Sequence, residues 1–216
     1  MTRKQGKDKR KARQAKVFDR LILCGSSNHK SLKKSKYFSV PFPSAKIINR
    51  AQGGANVLPG TELSYSPQFV GRTGTEIEPT ALYVLNLSFN ELLKTADQLE
   101  ACAEAYTFRT LQTLDLLFSY KLRKNQLLVG LPLPRLSVSL FQKQITIVQG
   151  LKEALDRKGI KSFDIFPEIP STLTQNDRLY FKSNKDRFHF SEEVDNISAT
   201  IISDNIKLFL KGAAVV

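Results

Sequence analysis

The most constraining feature of this sequence is an alternation of short apolar runs with longer amphipathic stretches. Each apolar run stops at glycine, proline or a group of polar residues, which is typical of buried strands in a parallel sheet. In the stretches between them, apolar residues recur at helical spacing. The predicted strands lie at residues 17–25, 44–54, 81–90, 125–135 and 161–169, and the long helices at 92–120, 138–158 and 191–210.

This order of elements predicts an α/β fold, a three-layer αβα sandwich with a mostly parallel five-stranded sheet. Gly159 is expected to cap the second long helix. Residues 55–79 are expected to form a loop with at most one helical turn, and residues 170–190 are expected to be irregular. Because functional groups of such sheets gather at the carboxyl ends of the strands, the polar residues that follow each apolar run are the candidates for a site.

Composition excludes several classes of protein. The 216 residues, 41% of them hydrophobic, suffice for one core, and no apolar run approaches the length of a membrane span. The charged N-terminus does not look like a secretory signal. Cys24 and Cys102 cannot define a disulfide framework, and no zinc motif, phosphate loop or dinucleotide fingerprint is present. We therefore expect an intracellular protein, cytoplasmic or nuclear, without a metal or organic cofactor.

Positive charge is concentrated at the N-terminus. The chain carries 33 Lys+Arg against 20 Asp+Glu, a net charge of +13, and residues 1–16 hold +7 of it. This stretch is too polar to repay the entropy of ordering, so residues 1–16 are predicted to form a disordered basic arm and residues 17–216 the folded domain. Such an arm binds RNA or DNA phosphates, or serves as a nuclear address or a solubilising tail. Its basic residues are Arg3, Lys4, Lys7, Lys9, Arg10, Lys11, Arg13 and Lys16.

Four groups of polar residues lie where the predicted strands end or the last helix begins. They are Gly25-Ser26-Ser27-Asn28-His29 after the first strand, Asn49 with Gly53-Gly54 after the second, Ser88-Phe89-Asn90-Glu91 after the third, and Asp186-Arg187-Phe188-His189 before the last helix. Together these groups resemble the four motif blocks of the SGNH (GDSL-type) hydrolase family, in the same order along the chain. The resemblance covers residues 17–210.

The resemblance implies a serine esterase. Ser27 corresponds to the nucleophile, His189 to the general base and Asp186 to the acid that orients it. The backbone N–H groups of Ser27 and Gly54 and the side chain of Asn90 correspond to the oxyanion donors. The chemistry agrees, because a serine hydroxyl needs an imidazole to take its proton, and the developing oxyanion needs preorganised donors.

The sequence departs from the family pattern at two supporting positions. Ser26 replaces the aspartate before the nucleophile, and Ser88 replaces the glycine of the third block, where Glu91 is also one methylene longer than the usual aspartate. These changes put the turnover rate in doubt more than the fold. Ser26 is an alternative nucleophile, although its side chain is expected to point away from that of Ser27.

Each of these residues also has a purely structural interpretation. Gly25 would terminate a strand, and the serines after it or Asn90 would cap a helix. Gly53-Gly54 would form an ordinary turn, and His189 would be a surface histidine. His29 is interpreted as a loop residue that faces solvent or substrate.

Two further groups near the last helix have alternatives of their own. The acidic residues Asp186, Glu192, Glu193 and Asp195 would bind a cation or, more simply, form an acidic first helical turn. The aromatic residues Phe181, Phe188 and Phe190, next to basic ones, would bind single strands or pin the loop onto the core.

Two functions remain open on the sequence. The first is an esterase that hydrolyses an acyl ester through a seryl intermediate. The second is an SGNH-like scaffold, weak or inactive in catalysis, that acts with nucleic acid. Esterase-like domains with basic segments occur in first open-reading-frame proteins of some non-LTR retrotransposons, and residues 130–135, GLPLPR, look similar to a strand ending in those domains.

Overall fold

The structure is a computed structural model of the 216-residue chain. It describes residues 18–57, 64–70, 77–89, 99–134, 141–183, 186 and 189–213. The basic arm, Asn90 and Glu91 therefore lie outside the described residues, as do residues 92–98 of the predicted first helix.

Five strands form one sheet in the order β2-β1-β3-β4-β5, and every neighbouring pair is parallel. The prediction of a mostly parallel five-stranded sheet is confirmed. The strands are shorter than the apolar runs because each run continues into the loop beyond the sheet. Their bounds are β1 Arg20–Gly25, β2 Ile47–Asn49, β3 Ala81–Asn86, β4 Leu127–Gly130 and β5 Lys161–Phe163.

Helices cover both faces of the sheet. The long helices confirm the three predicted amphipathic stretches, and a short helix supplies the single turn expected in residues 55–79. The segment expected to be irregular before the last helix contains two further short helices. The bounds are α1 Pro67–Val70, α2 Leu99–Ser119, α3 Phe141–Arg157, α4 Ser171–Thr174, α5 Asp177–Tyr180 and α6 Glu192–Ala213.

Alternate side chains of the strands enter two separate cores. One core joins residues such as Ile22 and Tyr83 to α2 and α3, and the other joins Leu21 and Val84 to α6. Because the sheet is buried on both faces, its strands read as continuous apolar runs in the sequence. None of the helices in the described part of the chain is long and apolar enough to cross a bilayer.

The end of α3 follows the sequence prediction closely. Gly159 has a φ of 68°, its N–H donates to the Asp156 carbonyl at 2.9 Å, and the Ile160 N–H donates to the Leu155 carbonyl at 2.9 Å. This is a Schellman cap, which satisfies helix-end carbonyls and favours glycine at the left-handed position. The cap turns the chain directly into β5.

Candidate active site

The candidate nucleophile lies in a turn at the carboxyl end of β1. A single 3₁₀ turn, Ser27–His29, begins two residues after the strand ends at Gly25. Ser26 is completely buried and makes no capping hydrogen bond, whereas Ser27 is partly exposed. Of the two serines, Ser27 is therefore the more accessible to solvent.

Gly25 is held by a residue that sequence analysis missed. The buried side chain of Gln68, on α1, accepts from the Gly25 N–H at 2.7 Å and donates to the Gly25 carbonyl at 3.0 Å. The two hydrogen bonds mimic a strand pair and fix the backbone immediately before the serines. Gln68 is 43 residues from Gly25 along the chain. No local pattern announces such a contact, because it depends on how α1 packs.

The turn after β2 is attached to the nucleophile turn by Asn49. Its Nδ2 donates to the carbonyls of His29 at 2.9 Å and Lys30 at 3.0 Å, while its Oδ1 accepts from the Ala51 N–H at 3.0 Å. Gly54 lies farther along this turn with a φ of 74°, a backbone conformation that favours glycine. The side-chain amide of Asn49 thus links the segment of Ser27 to the segment of Gly54.

The segment that leads to Asn90 is anchored at Ser88, one of the departures from the family pattern. The Tyr65 hydroxyl lies 3.0 Å from Ser88 Oγ, and the Tyr106 hydroxyl donates to the Ser88 carbonyl at 2.9 Å. Ser88 is buried, and its hydroxyl has a hydrogen-bond partner in Tyr65. Because the buried hydroxyl is paired, placing a serine where the family pattern has a glycine costs little stability. Asn90 itself remains a prediction.

Asp186 and His189 form a hydrogen-bonded pair just before α6. His189 Nδ1 lies 2.9 Å from Asp186 Oδ2 and 3.1 Å from Oδ1, and the His189 N–H donates to Oδ1 at 3.2 Å. Both side chains are partly exposed. With Nδ1 directed at the carboxylate, Nε2 is the nitrogen left to accept a proton.

Aromatic packing places this loop against the core. Phe181 and Phe190 are buried, form an isolated β-bridge, and pack with Tyr180 at ring-centroid distances of 5.1 and 5.3 Å. The interpretation of these phenylalanines as anchors of the loop agrees with this packing. Phe188 lies outside the described residues.

The nucleophile turn and the histidine loop meet at one cavity. Asn28 and His29, which follow Ser27, and Phe190, which follows His189, all line a cavity of about 440 Å³. The turn that contains Ser27 and the loop that contains His189 thus contribute neighbouring residues to the same cavity. The four-block site itself stays a prediction.

The far wall of the cavity is the acidic start of α6. Glu192 and Asp195 line it, and burial raises the pKa of Asp195 to about 7 although the charge of Lys182 opposes the shift. No group of His, Cys, Asp or Glu in the described part of the chain has the geometry of a metal site. Glu192, Glu193 and Asp195 lie in the first turn of α6, where the helix dipole favours carboxylates.

His29, interpreted as a loop residue that faces solvent or substrate, is partly exposed and lines the cavity. Its Nδ1 is nevertheless buried and has no hydrogen-bond partner among the described residues, and a Cβ atom at Gly25 would lie only 2.9 Å from it. Burial lowers the pKa of His29 to about 4, so the ring is neutral at physiological pH. His29 is unsuited to the role of general base that His189 can fill.

Comparisons with known proteins agree with this fold. The sequence matches no protein-family model, and no curated protein matches it. Several solved structures, in contrast, match the fold of this chain. A member of the lipolytic G-D-S-L family from Veillonella parvula superposes with a TM-score of 0.60 at 12% identity, covering 87% of this chain and 97% of that one.

Two further structures give the same result. A GDSL-like lipase from Bacteroides thetaiotaomicron has a TM-score of 0.61 at 14% identity, with 91% of this chain and 92% of the other covered. A carbohydrate acetylesterase family member from Sinorhizobium meliloti has a TM-score of 0.61 at 11% identity, with 89% and 99% covered. The chain therefore has the α/β fold of the SGNH hydrolases.

Proposed function

We propose that this protein is a serine esterase that hydrolyses acyl esters with Ser27 as nucleophile, His189 as general base and Asp186 as its orienting acid. The observation that carries the proposal is the Asp186–His189 pair, placed on a loop that shares a cavity wall with the segment following Ser27. The fold supports it, because its structural neighbours include lipolytic and esterase proteins.

The proposed reaction has two halves. His189 Nε2 takes the proton of the Ser27 hydroxyl as Oγ attacks the ester carbonyl, and the resulting oxyanion accepts from the N–H groups of Ser27 and Gly54 and from the Asn90 amide. His189 returns the proton to the departing alcohol. A water molecule then loses a proton to His189 as it attacks the acyl-serine carbonyl. When this second intermediate collapses, the acid is released and His189 returns the proton to Ser27 Oγ, which restores the free serine and the neutral histidine.

Hydrolysis of a series of 4-nitrophenyl esters tests the proposal. Ser27→Ala is expected to lose nearly all turnover, while the matched variant Ser26→Ala retains most of it because Ser26 is buried. Melting temperatures control for folding. Equal rates for wild type and Ser27→Ala would contradict the proposal, and loss confined to Ser26→Ala would move the nucleophile to Ser26.

A second function, nucleic-acid binding by an esterase-like scaffold, is favoured by the arm, since residues 1–16 carry +7. Deleting them should weaken binding to RNA or DNA and flatten its salt dependence. Each phosphate contact contributes a log–log slope of about −0.9 in duplex or −0.7 in single strands, so about four to six contacts shallow the slope by about three to five.

The salt titration also separates the two functions. Ester hydrolysis and melting temperature should hardly change on deletion of the arm, since a segment this polar contributes little to a core. An unchanged slope would leave the arm as an address or solubiliser. The resemblance to retrotransposon proteins gains no support from the structural neighbours and stays a prediction.

A further inference from the structure

The part of the chain that builds the proposed nucleophile and oxyanion turns contains cations and no carboxylates. Between Asp19 and Glu62 the sequence has no Asp or Glu, although this segment spans β1, the Ser27 turn, β2 and the Gly54 turn. Its cations are Arg20, Lys30, Lys33, Lys34, Lys36, Lys46 and Arg50. One side of the candidate site is therefore basic, and the question is which of these charges a substrate meets.

Three of the cations are engaged in holding the fold. Arg20 and Arg50 both pair with Glu78, and Arg50 also donates to backbone carbonyls of the α1 segment. The Lys33 ammonium donates to the Ile47 carbonyl at 2.6 Å. These three side chains already bind local partners, so they are poor candidates for substrate recognition.

Two other cations share the cavity described above with acidic residues. Lys34 and Lys36 line the same cavity as Glu192 and Asp195. The Lys36 ammonium also lies 5.1 Å from the centre of the Tyr37 ring, a cation–π distance. A negatively charged group that entered here would meet carboxylates as well as ammonium groups, so this wall offers little net attraction.

Lys30 is different, because it lies between the two turns that carry the proposed chemistry. Its N–H donates to the Ser27 carbonyl at 3.2 Å, and its own carbonyl accepts from Asn49 at 3.0 Å. Its ammonium extends over the oxyanion turn, where a Cβ atom at Gly53 would be 3.3 Å from Nζ. Gly53 directly precedes Gly54, so the charge is adjacent to the proposed oxyanion donor.

Within the described part of the chain, no carboxylate forms an ion pair with the Lys30 ammonium. Lys30 is exposed and forms no ion pair with any described residue. Its backbone is fixed at both the N–H and the carbonyl, so the ammonium is tethered beside the turn and its reach is limited to the length of the side chain. An ester whose carbonyl oxygen binds the Gly54 N–H would bring its acyl or alcohol group close to that ammonium.

We propose that Lys30 is a specificity-determining residue that selects esters bearing a negative charge, such as a carboxylate or phosphate, close to the scissile bond. The inference rests on the proposed esterase function and names the class of substrate that the site prefers. Because Lys30 is exposed, the attraction is that of a solvated ion pair and is screened by salt. The selectivity is therefore expected to be moderate and sensitive to ionic strength.

Two pairs of substrates of matched shape test the inference. In one pair the charge is on the acyl side: 4-nitrophenyl hydrogen succinate against the neutral 4-nitrophenyl pentanoate. In the other it is on the alcohol side: 4-acetoxybenzoate against the neutral 4-acetoxybenzamide. The quantity measured is the ratio of kcat/KM for the anionic ester to that for the neutral one, at low and high salt.

The variants are Lys30→Gln, Lys30→Glu and the matched control Lys161→Gln. Lys161 is an exposed lysine at the start of the edge strand β5, which β3 and β4 separate from β1. For at least one pair, the ratio is expected to fall about twofold to fivefold in Lys30→Gln and further in Lys30→Glu. It should stay constant in Lys161→Gln, and salt should lower the wild-type ratio.

The outcomes separate this inference from the function on which it rests. A fall in the succinate pair alone places the recognised charge on the acyl side, and a fall in the acetoxybenzoate pair alone places it on the alcohol side. Ratios that are the same in wild type and both Lys30 variants, while Ser27-dependent hydrolysis persists, overturn the inference and leave the esterase intact. Absence of Ser27-dependent hydrolysis of all four esters overturns both.

Discussion

The imidazole of His189 lies within hydrogen-bond distance of the carboxylate of Asp186, with Nδ1 2.9 Å from Oδ2. Two residues separate them in the sequence. The carboxylate also accepts from the His189 backbone N–H at 3.2 Å. This double contact fixes both the tautomer and the direction of the ring. It makes the orienting role of Asp186 directly testable.

We expect Asp186→Asn to lower kcat for ester hydrolysis by about 10³–10⁴-fold, because an amide cannot hold the tautomer that leaves Nε2 free to accept a proton. The melting temperature should change little, since the asparagine oxygen can still accept from the His189 N–H. Asp204→Asn, on the exposed side of α6, is the matched control. A loss of less than about tenfold in Asp186→Asn would contradict the assignment.

Asn90→Ala is expected to lower kcat by about 10²–10³-fold with little change in KM, because an oxyanion donor acts on charge that exists only in the transition state. Steady-state kinetics on one activated ester separates the two constants. Asn205→Ala, whose amide donates to a carbonyl within α6, is a control for loss of an asparagine side chain. A change confined to KM would instead make Asn90 a substrate-binding or capping residue.

Gly130→Ala should destabilise the protein by about 1–3 kcal/mol through overpacking at the end of β4. A Cβ atom there would lie 2.6 Å from Asn86 Oδ1 and 2.8 Å from Phe163 Cζ. Gly150→Ala is the control, since this glycine of α3 has open space around its Cβ position and alanine favours the helix. Denaturant unfolding of both variants checks the prediction, which would be wrong if the two changed stability equally.

His29 and Asp195 should give the stability opposite dependences on pH. The pKa of His29 is lowered to about 4, so between pH 4 and about 6.5 the unfolded state binds the extra proton and stability rises with pH. The pKa of Asp195 is raised to about 7, so between about pH 4 and 7 the folded state binds the extra proton and stability falls as pH rises.

Single variants separate these two contributions. Relative to wild type, Asp195→Asn should show a steeper rise of the free energy of unfolding between pH 4 and 6.5, and His29→Gln a shallower rise or a fall. Denaturant titrations at several pH values measure the slopes. Parallel slopes in all variants would refute the proposed burial effects.

Most of the fold was predictable because its signals are local or periodic. Buried parallel strands require continuous apolar runs, so the five runs indicated the five strands of the sheet. The Gly159 cap joins residues at most five apart, and it could be predicted from one glycine after an amphipathic stretch. The strand lengths were overestimated because apolar residues such as Leu87 and Leu131 remain buried just beyond the ends of β3 and β4.

The candidate site was predicted only in part. Ser27 and Gly54 could be proposed because they follow strands, whose carboxyl ends a parallel α/β sheet places at one edge, and Asp186 and His189 because they precede the last helix. Their catalytic roles stay predictions. Gln68, Asn49 and Tyr106 were missed as supports because an ordinary glutamine, asparagine or tyrosine carries no pattern. Their roles depend on reaching a particular backbone group in another segment.

The sequence by itself determined the order of the apolar runs along the chain and the amphipathic stretches between them. It also determined where the positive charge is concentrated and which polar residues follow each strand. These are properties of neighbours along the chain, where spacing and side-chain chemistry suffice. Only the tertiary structure decided that Ser27 rather than Ser26 is accessible, that the His29 nitrogen is buried over Gly25, and that Lys30 extends over Gly53. Those outcomes depend on how distant segments pack, because the residues that pack against a side chain from other segments decide whether it is buried and whether its charge is paired.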